Sequence, residues 1–161
     1  MIKAIDTIYN GYKFCSRLEA RWAVYFDKVG IKYEYEKEGY DLDGIWYLPD
    51  FWLEDFRTMS YDGGKTWIKE SAYVEIKAQL PTEAEIKKLH LLCEATGKNG
   101  YIFCDTPGAE CWVVDVSNGV PPHEYWFFDD NMSPFSGNDN KSWFAAESAR
   151  QSRFEHGKKG I

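Results

Sequence analysis

The 161-residue chain has only four cysteines and three histidines. Cys15, Cys93, Cys104 and Cys111 form no Cys-x-x-Cys pair, and His90, His123 and His156 stand at no metal-ligand spacing from a cysteine or an acidic motif. A zinc site and a disulfide framework are therefore not expected. The cysteines read as free thiols of a reducing compartment. The chain also lacks an apolar run long enough to span a bilayer and an apolar stretch of the kind that makes a secretory signal. No membrane partner is expected, and the expected location is the cytoplasm.

Basic charge is scarce as well. There are 19 Lys and Arg against 26 Asp and Glu, a formal net charge of −7. A non-specific duplex binder normally carries a net basic face. Binding to bare DNA at physiological salt is expected to be weak unless a local basic stripe or a partner protein compensates. Aromatic side chains, by contrast, are abundant: 7 Trp, 11 Tyr and 10 Phe. That apolar area suits one ordinary folded domain over residues 1–161 and argues against disorder.

Local signals give an order of elements. Residues 1–15 read as an irregular aromatic lead-in. Ser16-Arg17-Leu18-Glu19 has the form of a capping box, and Leu18, Trp22, Tyr25, Phe26 and Val29 follow at helical spacing up to Gly30. Ile31, Tyr33 and Tyr35 alternate with charged residues, the period of a strand. Asp41 to Gly44 reads as a turn, and Trp46 to Leu53 as a second strand with Pro49 at an edge or bulge. Residues 54–71 form a long polar connection, with a turn signal at Asp62-Gly63-Gly64. The third strand comes from Ala72, Val74 and Ile76 alternating with Tyr73, Glu75 and Lys77. Thr82 and Glu85 form a second capping box for a helix ending at Gly97. Tyr101–Cys104 and Cys111–Val116 are short strands. Residues 117–161 read as a loop with an aromatic patch at Tyr125 to Phe128, then a C-terminal helix capped by Ser142, then a frayed tail from His156. The expected architecture is α/β (α+β), a central mixed sheet flanked by helices.

The residues that carry chemistry sit on the third strand and just after Pro49. Glu75 and Lys77 are two apart and share one strand face, while Val74 and Ile76 point into the core. Asp50 follows Pro49, where a distorted backbone is able to re-aim a side chain. An Asp, a Glu and a Lys converging at a sheet edge suit Mg²⁺ and phosphate chemistry. Mg²⁺ takes hard oxygen ligands, and the transferring phosphoryl group needs its charge stabilised.

Pro49-Asp50 followed by Glu75-Ile76-Lys77, in this order of elements, resembles the PD-(D/E)XK nuclease superfamily. The stretches Ser16–Val24, Tyr33–Glu36 and Tyr47–Phe51 are similar to small phage and bacterial members, over about residues 9–105. The resemblance implies a restriction-endonuclease-like core. It implies a Mg²⁺ or Mn²⁺ site built from Asp50, Glu75, Glu19 and the Ile76 carbonyl. Lys77 would position the water or stabilise developing charge, and Gln79, on the same strand face as Lys77, would be a further polar residue there and a candidate nucleic-acid contact. The implied activity is hydrolysis of DNA phosphodiesters through a Mg-activated water, as an endonuclease in a bacterial or phage-infected cytoplasm. Arg17 and Arg21, one turn apart, are candidate phosphate contacts or simply partners for neighbouring acids.

Each residue also has a plainer explanation. Glu-x-Lys is common on exposed strands, Pro-Asp is an ordinary turn signal, and Glu19 is accounted for by its cap alone. Trp126 to Phe128 suit base stacking or cover of a core or interface. Asp129-Asp130 reads as a hydrated charge run. The rival function is a catalytically silent nuclease-fold module, encoded by a phage or mobile element and binding a host or partner protein. The net acidity favours it. A subunit that acts only as a homodimer or with a partner stands between the two.

Overall fold

A computed structural model describes residues 6–58, 68–108, 111–126, 140–152 and 154. The N-terminal lead-in is a hairpin and not irregular chain. β1 (Thr7–Tyr9) and β2 (Tyr12–Phe14) pair antiparallel around Asn10-Gly11, both with positive φ (49° and 84°). Asn-Gly is the pair such a tight turn favours. α1 (Arg17–Val29) starts where the Ser16 hydroxyl accepts the Glu19 N–H at 3.1 Å, and Gly30 closes it in the left-handed region.

Six strands form the central mixed sheet, in the order β10-β9-β8-β7-β6-β3. These are β3 (Lys32–Tyr35), β6 (Phe51–Thr58), β7 (Ile68–Lys77), β8 (Asn99–Cys104), β9 (Trp112–Asp115) and β10 (His123–Trp126). β7 and β8 are parallel and the other neighbours antiparallel. The parallel step needs a crossover. α2 (Glu83–Thr96) supplies it, with both bonds of its Thr82–Glu85 capping box in place.

The expected second strand, Trp46 to Leu53, is two elements. β5 (Ile45–Tyr47) turns back on β4 (Tyr40–Leu42) in a separate hairpin, and β6 begins only at Phe51. Pro49-Asp50 is the break between them. The bulge lies further on, between Leu53 and Phe56, with Asp55 at φ 50°. The expected loop 117–141 contains β10, which covers the far edge of β9. The last helix, α3 (Asn140–Gln151), starts two residues before Ser142, so Ser142 is helical and not a cap. The turn at Asp62-Gly64, Phe127 to Asp130 and the tail from His156 lie outside the described residues.

Two apolar layers hold the sheet. On one side α1, β1–β2 and α3 cover a core of Phe14, Trp22, Phe26, Phe51, Val74 and Phe103. On the other, α2 and the β4–β5 hairpin cover Tyr73, Leu89, Ile102 and Val114. Strand alternation in β7 feeds both layers. Val74 and Ile76 enter the first, so Glu75 and Lys77 emerge on the α2 side. The second layer is tight at Gly100, where an added Cβ would collide with the buried Cys93 Sγ. Gly100→Ala is expected to cost ~1–3 kcal/mol by overpacking. In urea unfolding, Cys93→Ala should relieve part of that cost, and strictly additive effects would contradict the packing described.

Candidate active site

The site forms where β6 starts and β7 ends. Phe51 pairs with Val74, which sets Asp50 beside Glu75. Asp50 is fixed by bonds to both neighbouring strands. Its N–H donates to Glu75 Oε1 at 3.3 Å, its Oδ2 accepts the Ile76 N–H at 2.8 Å, and its carbonyl accepts the Glu36 N–H at 2.8 Å. The Lys77 carbonyl accepts the Asp105 N–H at 2.8 Å and so faces the β8 side. Backbone groups alternate in direction along a strand. Ile76 therefore faces the other way, and its carbonyl leaves β7 on the Asp50 side.

Glu19 reaches the same place from the opposite face of the sheet. It is 7% exposed and sits in the first turn of α1. Its capping box is only half made. Instead of turning back to the Ser16 N–H, its carboxylate accepts the Ser16 hydroxyl (2.8 Å) and the Tyr35 hydroxyl (3.1 Å). Its charge is near enough to help raise the Asp50 carboxyl pKa. The cap accounts for the Glu19 backbone, but not for where its carboxylate goes.

Three carboxyl groups thus crowd together, with Asp50 in the middle. Burial, then the charges of Glu75 and Glu19, push the Asp50 carboxyl well above the usual aspartate range. Burial also raises Glu75, partly offset by the Tyr47 hydroxyl, which donates to Glu75 Oε1 at 2.7 Å, and by the Lys77 charge. Lys77 Nζ contacts Glu85 Oε2 at 2.5 Å. Burial pulls the Lys77 pKa down, but the Glu85 bond and the charges of Glu75, Glu85 and Asp50 outweigh it, so the net shift is upward. Lys77 therefore remains an ammonium. Glu85 also closes the α2 capping box through Thr82, so the lysine is tied to the first turn of that helix.

No family model, curated protein or solved structure matches this chain. The donor chemistry is the guide that remains. Among the described residues, no three His, Cys, Asp or Glu side chains form a ready-made metal-holding group. The carboxyl groups are turned onto one another and onto hydroxyl and amide donors. Mg²⁺ needs less than such a group, since it commonly binds through one or two carboxylates and keeps several waters. Asp50, Glu75 and the Ile76 carbonyl are an all-oxygen set, and the Asp50 carboxyl is crowded by two like charges that a cation would relieve. The residues present fit the ion.

Of the other residues singled out in the sequence, Arg17 is exposed and Arg21 half-buried. Among the described residues neither is ion-paired, and Arg21 Nε has no hydrogen-bond partner. Gln79 does not share a strand face with Lys77, because β7 ends at Lys77; it lies exposed in the bend toward α2. His90 is structural, held by the Val116 carbonyl and Glu94. Tyr35, Tyr47 and Glu85 contact Glu19, Glu75 and Lys77, contacts that strand and cap patterns conceal.

The crowding has a consequence for pH. Between the ordinary aspartate value of 3.8 and the raised value of Asp50, the folded chain holds more protons than the unfolded one. Stability from this group is therefore lost as pH rises through that window. In metal-free buffer Asp50→Asn should be more stable than the parent at neutral pH, with the gap closing toward about pH 4. Urea midpoints that run parallel across pH would contradict this.

Proposed function

We propose that this chain hydrolyses phosphodiester bonds of DNA with a divalent cation held by Asp50, Glu75 and the Ile76 carbonyl. The observation that carries the reading is the meeting of Glu19, Asp50 and Glu75 where β6 starts and β7 ends, with the Lys77 ammonium beside them. Bound there, Mg²⁺ or Mn²⁺ supplies Lewis-acid charge to a phosphoryl oxygen and lowers the pKa of an attacking water. Lys77, which keeps its proton, contributes positive charge where negative charge develops on phosphate and does not serve as the base. Tyr47 and Tyr35 fix Glu75 and Glu19 so that Asp50 is held from both faces of the sheet. Glu85 acts as a positioning residue through Lys77. Arg17, exposed near the start of α1, is the candidate contact for flanking phosphate.

The silent partner-binding module is the second reading. The formal charge of −7 favours it, as does the engagement of Lys77 by Glu85. A homodimer or a partner that supplies basic surface is compatible with either reading.

Linear, circular, branched and single-stranded DNA incubated with Mg²⁺ or Mn²⁺ separates the two. The expected result is metal-dependent cleavage that falls ~10²–10³-fold in Lys77→Ala with the fold intact by circular dichroism. Glu85→Gln should lower the rate by about tenfold through misplacement of Lys77. Undiminished cleavage by Lys77→Ala would remove the mechanism, and no cleavage of any substrate would favour the silent module.

A further inference from the structure

The pairing registers run a straight line away from Lys77. Lys77 pairs with Cys104, Cys104 with Trp112, and Trp112 with Trp126, across β7, β8, β9 and β10. Residues directly opposite one another share a sheet face. All four side chains therefore emerge on the α2 side, the side of Glu75. At ~5 Å per strand the two tryptophans lie roughly 10 and 15 Å from Lys77.

A cavity of about 480 Å³ opens along this line. Leu80, Cys104, Trp112 and Trp126 give it apolar walls, and Asp105 and Glu124 contribute carboxylates. The indoles of Trp112 and Trp126 meet edge to face at 4.4 Å, and Trp112 Nε1 donates to Glu124 Oε2 at 2.9 Å, which fixes the Trp112 ring. Trp126 is 52% exposed and Leu80 66% exposed, a large apolar area left open beside polar groups.

We infer that this cavity takes an unpaired nucleobase of the strand whose phosphate lies at Lys77. The inference rests on the nuclease reading and gives it a substrate class: DNA with single-stranded character next to the cut. Three features select a base over other occupants. No basic side chain lines the cavity among the described residues, and two carboxylates repel a phosphate, so the sugar–phosphate backbone is excluded. A base is neutral, and its exocyclic amino groups donate to carboxylates. The exposed Trp126 indole can stack on any base, with little dependence on sequence. The distance from Lys77 spans about two nucleotides of a stretched strand, whereas a base held in a duplex stack is not free to enter. Gln79 and Ala78, which also line the cavity, continue the chain directly from Lys77, so the cavity and the candidate active site are one continuous surface.

Fluorescence anisotropy with the full chain carrying Lys77→Ala, in Mg²⁺, tests this without reading cleavage. Failure of the nuclease reading then shows in the cleavage panel and failure of this one in binding. The probes are a short single-stranded oligodeoxynucleotide, an abasic strand of the same length and a blunt duplex. The base-bearing strand should bind about tenfold more tightly than the abasic strand. Trp126→Ala should erase that margin, and Trp126→Phe should keep most of it. Equal binding of base-bearing and abasic strands would overturn the inference. So would an unchanged margin in Trp126→Ala, tighter binding of the blunt duplex, or self-association of the parent that Trp126→Ala abolishes.

Discussion

Bringing three carboxyl groups together out of water costs free energy, and the arrangement around Asp50 answers that cost at every contact. Like charges a few ångströms apart repel by several kcal/mol in a protein environment. Here the Tyr47 hydroxyl, the Asp50 and Ile76 N–H groups, the Tyr35 hydroxyl and the Ser16 hydroxyl each donate to one of the carboxyls. These donors come from β5, the start of β6, β7, β3 and the cap of α1, so most of the fold converges on the cluster. Even so, Asp50 stays displaced toward its protonated form. The cluster favours a positive charge beside Asp50: a proton, as the raised pKa shows, and in the proposed role a divalent ion. Buried acids that structure alone would replace by apolar side chains are where functional groups are sought.

Lys77 fits the same logic. Its ammonium faces Glu75 and Asp50 by charge but is bonded to Glu85. Glu85, the partner of Thr82 in the α2 capping box, thereby links the crossover helix to the carboxyl cluster at the strand end. That position, the carboxyl end of a strand in a parallel pair, is where open α/β sheets place ligands.

Much of this was legible in the sequence, and what was not has identifiable causes. Strand period alone puts Glu75 and Lys77 on one face, and the caps at Ser16 and Thr82 mark the starts of α1 and α2. Asp50 needed the pairing of Phe51 with Val74, and that register lies across a connection and a bulge at Asp55 that the pattern does not encode. Tyr35 and Tyr47 look like core aromatics, and only the tertiary structure turns their hydroxyls to Glu19 and Glu75. The Glu19 capping box concealed a carboxylate used elsewhere. β10 was hidden among prolines, and with it the row from Lys77 to Trp126. The Asn10-Gly11 hairpin carried a strong turn signal among aromatics that suggested irregular chain.

A formal charge of −7 makes long-range attraction to DNA weak, so the proposed activity depends on local chemistry, and first on a divalent ion held by the Asp50 cluster. Calorimetric titration of Mn²⁺ into the chain near neutral pH tests that claim directly. Binding should be accompanied by proton release that grows as the pH is lowered, seen as heats that differ between buffers of different ionisation enthalpy, because ion and proton compete for the Asp50 carboxyl, which burial and the charges of Glu75 and Glu19 hold above its ordinary range. Both the binding and the proton release should be lost in Glu75→Gln and Asp50→Asn. Absence of binding in the parent, or binding that survives both substitutions, would contradict the account.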